Sequence, residues 1–173
     1  MPRADLQQIF LESASEVLES MFFAGLSEGE DCPQGSGALL STKLTFHGNP
    51  SGRFGIQTAH STGLVIAASS LGLDETEVTE AQVAEVVCEL TNMICGSVLS
   101  RVEAGARFEL VQPKIASENT DWRQYDQAVG STFGLEDGTL TLWMTFEENK
   151  PALVAQCQVP LYSQTKADCT TLC

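Results

Sequence analysis

The chain has 173 residues, 43% hydrophobic and 18% charged, and its 9 basic against 23 acidic side chains give a net charge of −14. That length and composition fit one globular domain with a sizeable core, while the acidic balance argues against nucleic acid and anionic membrane surfaces, which are bound through clustered Lys and Arg. No apolar stretch approaches the roughly 20 residues that span a bilayer, and Met1-Pro2-Arg3-Ala4-Asp5 has no apolar signal-peptide core, so the expected setting is the cytoplasm and the expected partner a protein with basic side chains near its own site.

In chain order, residues 5 to about 23 form an amphipathic helix, with Leu6, Ile9, Phe10, Ala14, Val17, Met21 and Phe22 at helical spacing. A polar, Gly-containing loop follows from Ser27 to Gly37. Leu39–Phe46 and Arg53–His60 read as two strands of a hairpin, joined by the turn-rich His47-Gly48-Asn49-Pro50-Ser51-Gly52. Ser61–Leu71 suits a short buried helix and Asp74–Val78 an acidic linker.

Thr79 followed by Gln82 fits a capping box, with Glu80 favourable in the first turn, so a long helix should run from Glu80 to about Val102. Phe108–Val111 reads as a strand. Pro113–Gln127 is a polar segment that reads as a surface loop, or as a flap over a site, and carries an exposed-looking aromatic pair, Trp122 and Tyr125. Ala128–Leu135, Thr139–Glu147 and Ala152–Pro160 read as three further strands, the first two joined by an Asp137-Gly138 turn. The expectation is a single-domain α+β fold over residues 1–162, with long helices packed on an antiparallel sheet and a polar tail over 163–173.

Metal chemistry finds little support. Cys32, Cys88, Cys95, Cys157, Cys169 and Cys173 include no Cys-x-x-Cys pair, and His47 and His60 are the only histidines. The cysteines are expected to be free thiols, mostly in the core, and the histidines to be exposed at strand ends. Gly35-Ser36-Gly37 lacks the Lys and Ser or Thr of a phosphate-binding loop.

The informative segment is Ala84 to Gly96. Glu85, Glu89, Asn92 and Gly96 are spaced by four, three and four, which on a helix places them on one stripe. Val83, Val86, Val87, Leu90, Met93, Ile94 and Val98 cover the faces that can enter a core. A glycine costs about 1 kcal/mol against alanine inside a helix, and close approach of another backbone, from within the fold or from a partner, is a reason to accept that cost. Glu-x-x-Asn alone is a weak motif, and a solvated face with a packing glycine would read the same.

Glu89-Leu90-Thr91-Asn92-Met93-Ile94-Cys95-Gly96 resembles the signature of the CheX and CheC family of chemotaxis phosphatases: Asp or Ser, three residues, Glu, two residues, Asn, then usually an apolar pair and a glycine. The first helix, Phe10 to Met21, resembles the opening helix of CheX-like proteins, and the order of elements is similar over about residues 5–160. The resemblance implies a CheC-like fold and a substrate that is the aspartyl phosphate of a CheY-like receiver domain.

It further implies catalytic roles for Asn92, which would orient the attacking water, and Glu89, which would pair with the lysine beside the phosphoaspartate. Glu85 and Gly96 would be partner-binding. Mg2+ would sit on the receiver, leaving this chain without a metal or other cofactor, and a homodimer joined through sheet edges is implied as well. Glu85 departs from the family's usual Asp or Ser. A second motif of the CheC kind would fall on Ser15, Glu19 and Phe22, where Phe22 replaces the asparagine, so a single site is expected. The alternative is a receiver-binding or scaffold module of the same fold without hydrolysis.

Overall fold

The computed structural model describes residues 3–22, 25–26, 37–116 and 121–147. Among the described residues, three helices, α1 (Arg3–Met21), α2 (His60–Leu71) and α3 (Glu80–Val102), accompany six strands: β1 (Leu39–His47), β2 (Ser51–Ala59), β3 (Glu109–Leu110), β4 (Lys114–Ile115), β5 (Val129–Leu135) and β6 (Gly138–Glu147). The sheet runs β3-β1-β2-β6-β5, and its observed pairings are antiparallel. The short β4 shares the outer edge of β1 with β3. This is the expected α+β architecture.

The alternation of each strand decides which side of the sheet is core. From β1, Leu44 and Phe46 face the helices; β2 adds Phe54 and Ile56, β6 adds Leu140, Leu142 and Met144, and β5 adds Phe133 and Leu135. Against them pack Leu6, Phe10, Ala14, Val17, Leu18 and Phe22 of the α1 region and Leu90, Ile94, Val98 and Leu99 of α3. Met21, placed by spacing on the apolar side of α1, is instead 53% exposed, because α1 turns its Leu18 flank to the core. Helix α2 seals the neighbouring corner through Ala67 against Val83 and Val87.

The start of α3 is the expected capping box. Thr79 Oγ1 accepts from the Gln82 amide at 3.3 Å, and Gln82 Oε1 accepts from the Thr79 amide at 2.9 Å. At 23 residues, with a mean hydropathy of 1.4 in its most apolar window, α3 is long and apolar enough to cross a bilayer by length and composition, contrary to the expectation from sequence. Its Val83, Val87, Leu90, Ile94, Val98 and Leu99 are buried against the sheet, α1 and α2.

Several local expectations shift. The acidic linker after α2 contains a 3-10 turn (Glu75–Glu77) with its own capping box from Asp74 and Glu77. The β5–β6 turn falls on Glu136 and Asp137, because Gly138 already pairs with Leu135. His60 opens α2 and lies half-buried with Nε2 2.8 Å from Glu80 Oε2, while His47 is exposed at a strand end. The aromatic pair is not exposed: Trp122 is 8% accessible and Tyr125 stacks on Trp143 with ring centroids 5.3 Å apart. Residues 121–128 thus cover the sheet face opposite the helices. There the Trp122 ring lies where a Cβ on Gly130 would be, at 2.6 Å, and the Trp143 ring where one on Gly55 would be, at 2.4 Å. The strand expected over 152–160, the loop before residue 37 and the tail from 163 lie outside the described residues.

Candidate active site

What faces outward on α3 depends on how the helix is rotated about its own axis, and a buried hydroxyl pair fixes that rotation. Thr91 donates to the Val87 carbonyl at 2.7 Å, and its oxygen lies 2.5 Å from Thr42 Oγ1 of β1. Both threonines are buried, so the pair bridges helix and sheet in a medium where an unmet hydroxyl is costly. With Leu90, Thr91 and Ile94 turned inward, Glu85 and Glu89 stand exposed, and Asn92 and Gly96 are half-buried on the outer flank. At 1.5 Å per residue, the stripe from Glu85 to Gly96 is about 16 Å long.

Two recesses border it. Between α3 and the β4 segment lies a groove of about 400 Å3, lined by Ala84, Glu85, Cys88 and Glu89 on one wall and Gln112, Pro113, Lys114 and Ile115 on the other. Beyond the other end, Gly96, Leu99, Ala106, Phe108 and Leu110 line a smaller recess of about 210 Å3. Asn92 lies between them in sequence. Neither Glu85, Glu89 nor Asn92 makes a side-chain hydrogen bond or ion pair with another described residue. A Cβ on Gly96 would meet nothing nearer than Leu110 Cδ1 at 4.0 Å. No packing inside the described fold requires glycine there, which removes one of the two reasons for accepting its helical cost.

The four predicted site residues therefore share one surface: Glu85 and Glu89 face one groove, and Gly96 opens the recess beyond Asn92. The second-motif trace on α1 does not form a site, since Phe22 is 5% exposed and belongs to the core. A clasp ties α1 to α3 nearby. Arg101 Nη2 and Ser97 Oγ donate to Glu16 Oε2 at 2.9 and 3.1 Å, and the Arg101 guanidinium and the Ser97 hydroxyl hold the Glu16 carboxyl below its ordinary pKa.

Cys88 forms part of the groove wall and Cys95 is fully buried; burial pushes both thiols up, Cys95 the further. Cys32, Cys157, Cys169 and Cys173 lie outside the described residues. Among the described residues no three His, Cys, Asp or Glu side chains converge to hold a metal ion. Sequence reasoning did not single out Thr91 and Thr42, and it read Pro113–Ile115 of the groove wall only as part of a surface loop or a flap over a site. Their signal is a contact between segments 49 residues apart and a two-residue strand, neither of which leaves a periodic trace.

Residues 40–129, more than half of the chain, match the family described as chemotaxis phosphatase CheX. The fold is similar to a chain of the CheX–CheY–BeF3–Mg2+ complex from Borrelia burgdorferi, with a TM-score of 0.64 and 24% identity over 83% of this chain and 99% of that one. It is also similar to chemotaxis protein CheX from Vibrio vulnificus, with 0.64 and 22% over 85% and 99%. A CheC-like superfamily protein from Shewanella sp. PV-4 gives 0.59 and 25% over 83% and 97%. Among curated proteins none matches the chain. A family match over β1 to β4 and the whole of α3, more than half of the chain, with a shared fold, shows that this chain belongs to the CheX family of chemotaxis phosphatases.

Proposed function

We propose that this chain hydrolyses the aspartyl phosphate of a CheY-like receiver domain, docking it on the α3 stripe. The observation that carries the reading is the outer flank of α3. A neutral carboxamide, Asn92, and a carboxylate, Glu89, lie one helical turn apart with no partner inside the described fold. An acyl phosphate is already activated toward water, so catalysis is mainly positioning. Asn92 can accept a hydrogen bond from the attacking water through its oxygen and donate through its nitrogen while adding no charge beside a phosphoryl group.

Glu89 supplies the negative charge that pairs with a lysine beside the receiver's phosphoaspartate, and Glu85 extends the same acidic wall. Gly96 admits a partner loop close to the helix backbone. The metal in this scheme is the receiver's Mg2+, and the complex of the Borrelia burgdorferi relative with CheY, BeF3 and Mg2+ supports a receiver as the partner. A homodimer through sheet edges completes the proposed assembly, and a monomer mass by light scattering would overturn that part.

The test is phosphate release from a phosphorylated CheY-like receiver. The wild-type chain should accelerate it and Asn92→Ala should abolish the acceleration while circular dichroism and melting stay unchanged. Equal rates for the two proteins would remove the enzymatic reading. Glu89→Ala should weaken receiver binding in a titration.

A further inference from the structure

The sheet edge across the groove from Glu85 and Glu89 gathers positive charge in a chain whose net charge is −14. Lys43 of β1 and Lys114 of β4 are register partners, directly opposite each other across an antiparallel pair. Arg53 of β2 pairs with Thr45, two residues along β1 from Lys43, and so stands diagonal to Lys43 on the same face. The three cations line a pocket of about 280 Å3 together with Thr45, Gln112 and the Tyr125 ring. Three of the chain's nine basic residues meet there, from three strands, and no carboxylate lines the pocket. The nearest described counter-charge is Glu147, an exposed and loose partner 3.7 Å from Arg53.

Two features distinguish this from an ordinary solvated face. Like charges directly opposite on paired strands destabilise a sheet, so the Lys43–Lys114 pairing costs stability in the free protein. A lysine on an exposed edge strand can guard against sheet-to-sheet association, which would account for Lys114. It does not account for Lys43 and Arg53, which belong to strands paired on both sides. The arrangement also has a wall suited to an anion: the Arg53 guanidinium lies 5.6 Å from the centroid of Tyr125, itself backed by Trp143. A planar guanidinium flanked by two ammonium groups, with a hydroxyl and an amide beside them, matches the oxygens of phosphate groups.

We propose that the pocket formed by Lys43, Arg53 and Lys114 binds a compact polyanion carrying two or more phosphates, either an inorganic polyphosphate or the phosphates of a nucleotide. The site is separate from the phosphatase reading and does not depend on it, although Lys114 and Gln112 also form the far wall of the groove beside Glu85 and Glu89.

Calorimetric titration and thermal melting of the full chain with inorganic pyrophosphate test this, with sulfate at matched ionic strength as the control. Pyrophosphate should bind, raise the melting temperature and outcompete sulfate. Lys114→Gln should weaken pyrophosphate binding at least tenfold, a loss of about 1.4 kcal/mol, while raising the melting temperature of the ligand-free protein through relief of the facing charges. Arg107→Gln, at an exposed arginine outside the pocket, should change neither. ATP in place of pyrophosphate separates the two sources, since tighter binding of ATP identifies a nucleotide and equal binding an inorganic polyphosphate. Absence of binding at about 1 mM pyrophosphate, equal weakening by Arg107→Gln, or a lower ligand-free melting temperature for Lys114→Gln would overturn the proposal.

Discussion

Helices α1 and α3 lie side by side on the same face of the sheet and both carry glutamates on their outer sides, yet only α3 carries the proposed docking stripe. On α3 the positions are Glu85, Glu89 and Asn92; on α1 the corresponding trace is Ser15, Glu19 and Phe22. The difference lies in what each helix turns to the core. Residue 22 is a phenylalanine that enters the core at 5% exposure, so the α1 trace is interrupted by a packing residue. Asn92 follows Thr91, whose hydroxyl is drawn inward by Thr42 and the Val87 carbonyl, and the asparagine is thereby held at the outer flank. A periodic polar stripe becomes a candidate site only where a neighbouring buried residue fixes the helix rotation that exposes it.

Replacing the residue that separates the two helices should give the largest effect. Phe22→Asn would open the α1 core and bury an amide, at a cost of about 3–5 kcal/mol by analogy with large-to-small core changes. It should create no second activity; a folded variant with added phosphatase turnover would break the comparison. Asn92→Ala should leave stability within about 0.5 kcal/mol, as expected for a side chain with no described partner, and remove turnover.

Next comes Thr91→Val, which keeps the shape and deletes the hydroxyl that Thr42 meets. It should lower stability by about 1–3 kcal/mol, measured by urea unfolding, and the double variant Thr42→Val with Thr91→Val should recover most of the loss, because no buried hydroxyl is then left unpaired. Additive losses would show that the pair does not hold the helix.

Gly96→Ala should act in two opposite directions. With open space beyond the helix at that position, alanine should stabilise the fold by up to about 1 kcal/mol while weakening receiver binding. Tighter or unchanged binding would remove Gly96 from the docking surface. The smallest effect is expected from the clasp between the helices. The Glu16 carboxyl has its pKa lowered by Arg101 and Ser97, so its contribution to stability is present above the unfolded-state pKa and is lost as pH falls through the folded one. The melting difference between wild type and Glu16→Gln should therefore shrink on acidification; a difference that grew would reverse the assigned sign.

Much of this molecule was legible in the order of its residues. The helical periods around Phe10 and Leu90, the Thr79–Gln82 capping box, the hairpin signals at His47–Gly52 and Asp137-Gly138, and the spacing of Glu85, Glu89, Asn92 and Gly96 are local patterns, set by backbone geometry over a few residues. They specified the α+β class and the stripe. They did not place Trp122 and Tyr125, whose polar surroundings suggested exposure. Trp122 is buried because Gly130 leaves space on β5 for its indole ring, and Tyr125 is half-buried because it stacks on Trp143, whose own ring lies over Gly55 of β2.

The tertiary structure alone decided the rest. Whether Gly96 packs inside the fold depends on what lies beyond it, and only the position of Leu110 shows that the space is open. The Thr42–Thr91 bridge and the meeting of Lys43, Arg53 and Lys114 join residues that no local period relates, since strand register brings them together across separations far longer than a helical turn. The sequence by itself determined which side chains α3 carries and at what spacing. Packing against β1 determined which of them face outward, because a helix is free to rotate about its axis until buried contacts stop it.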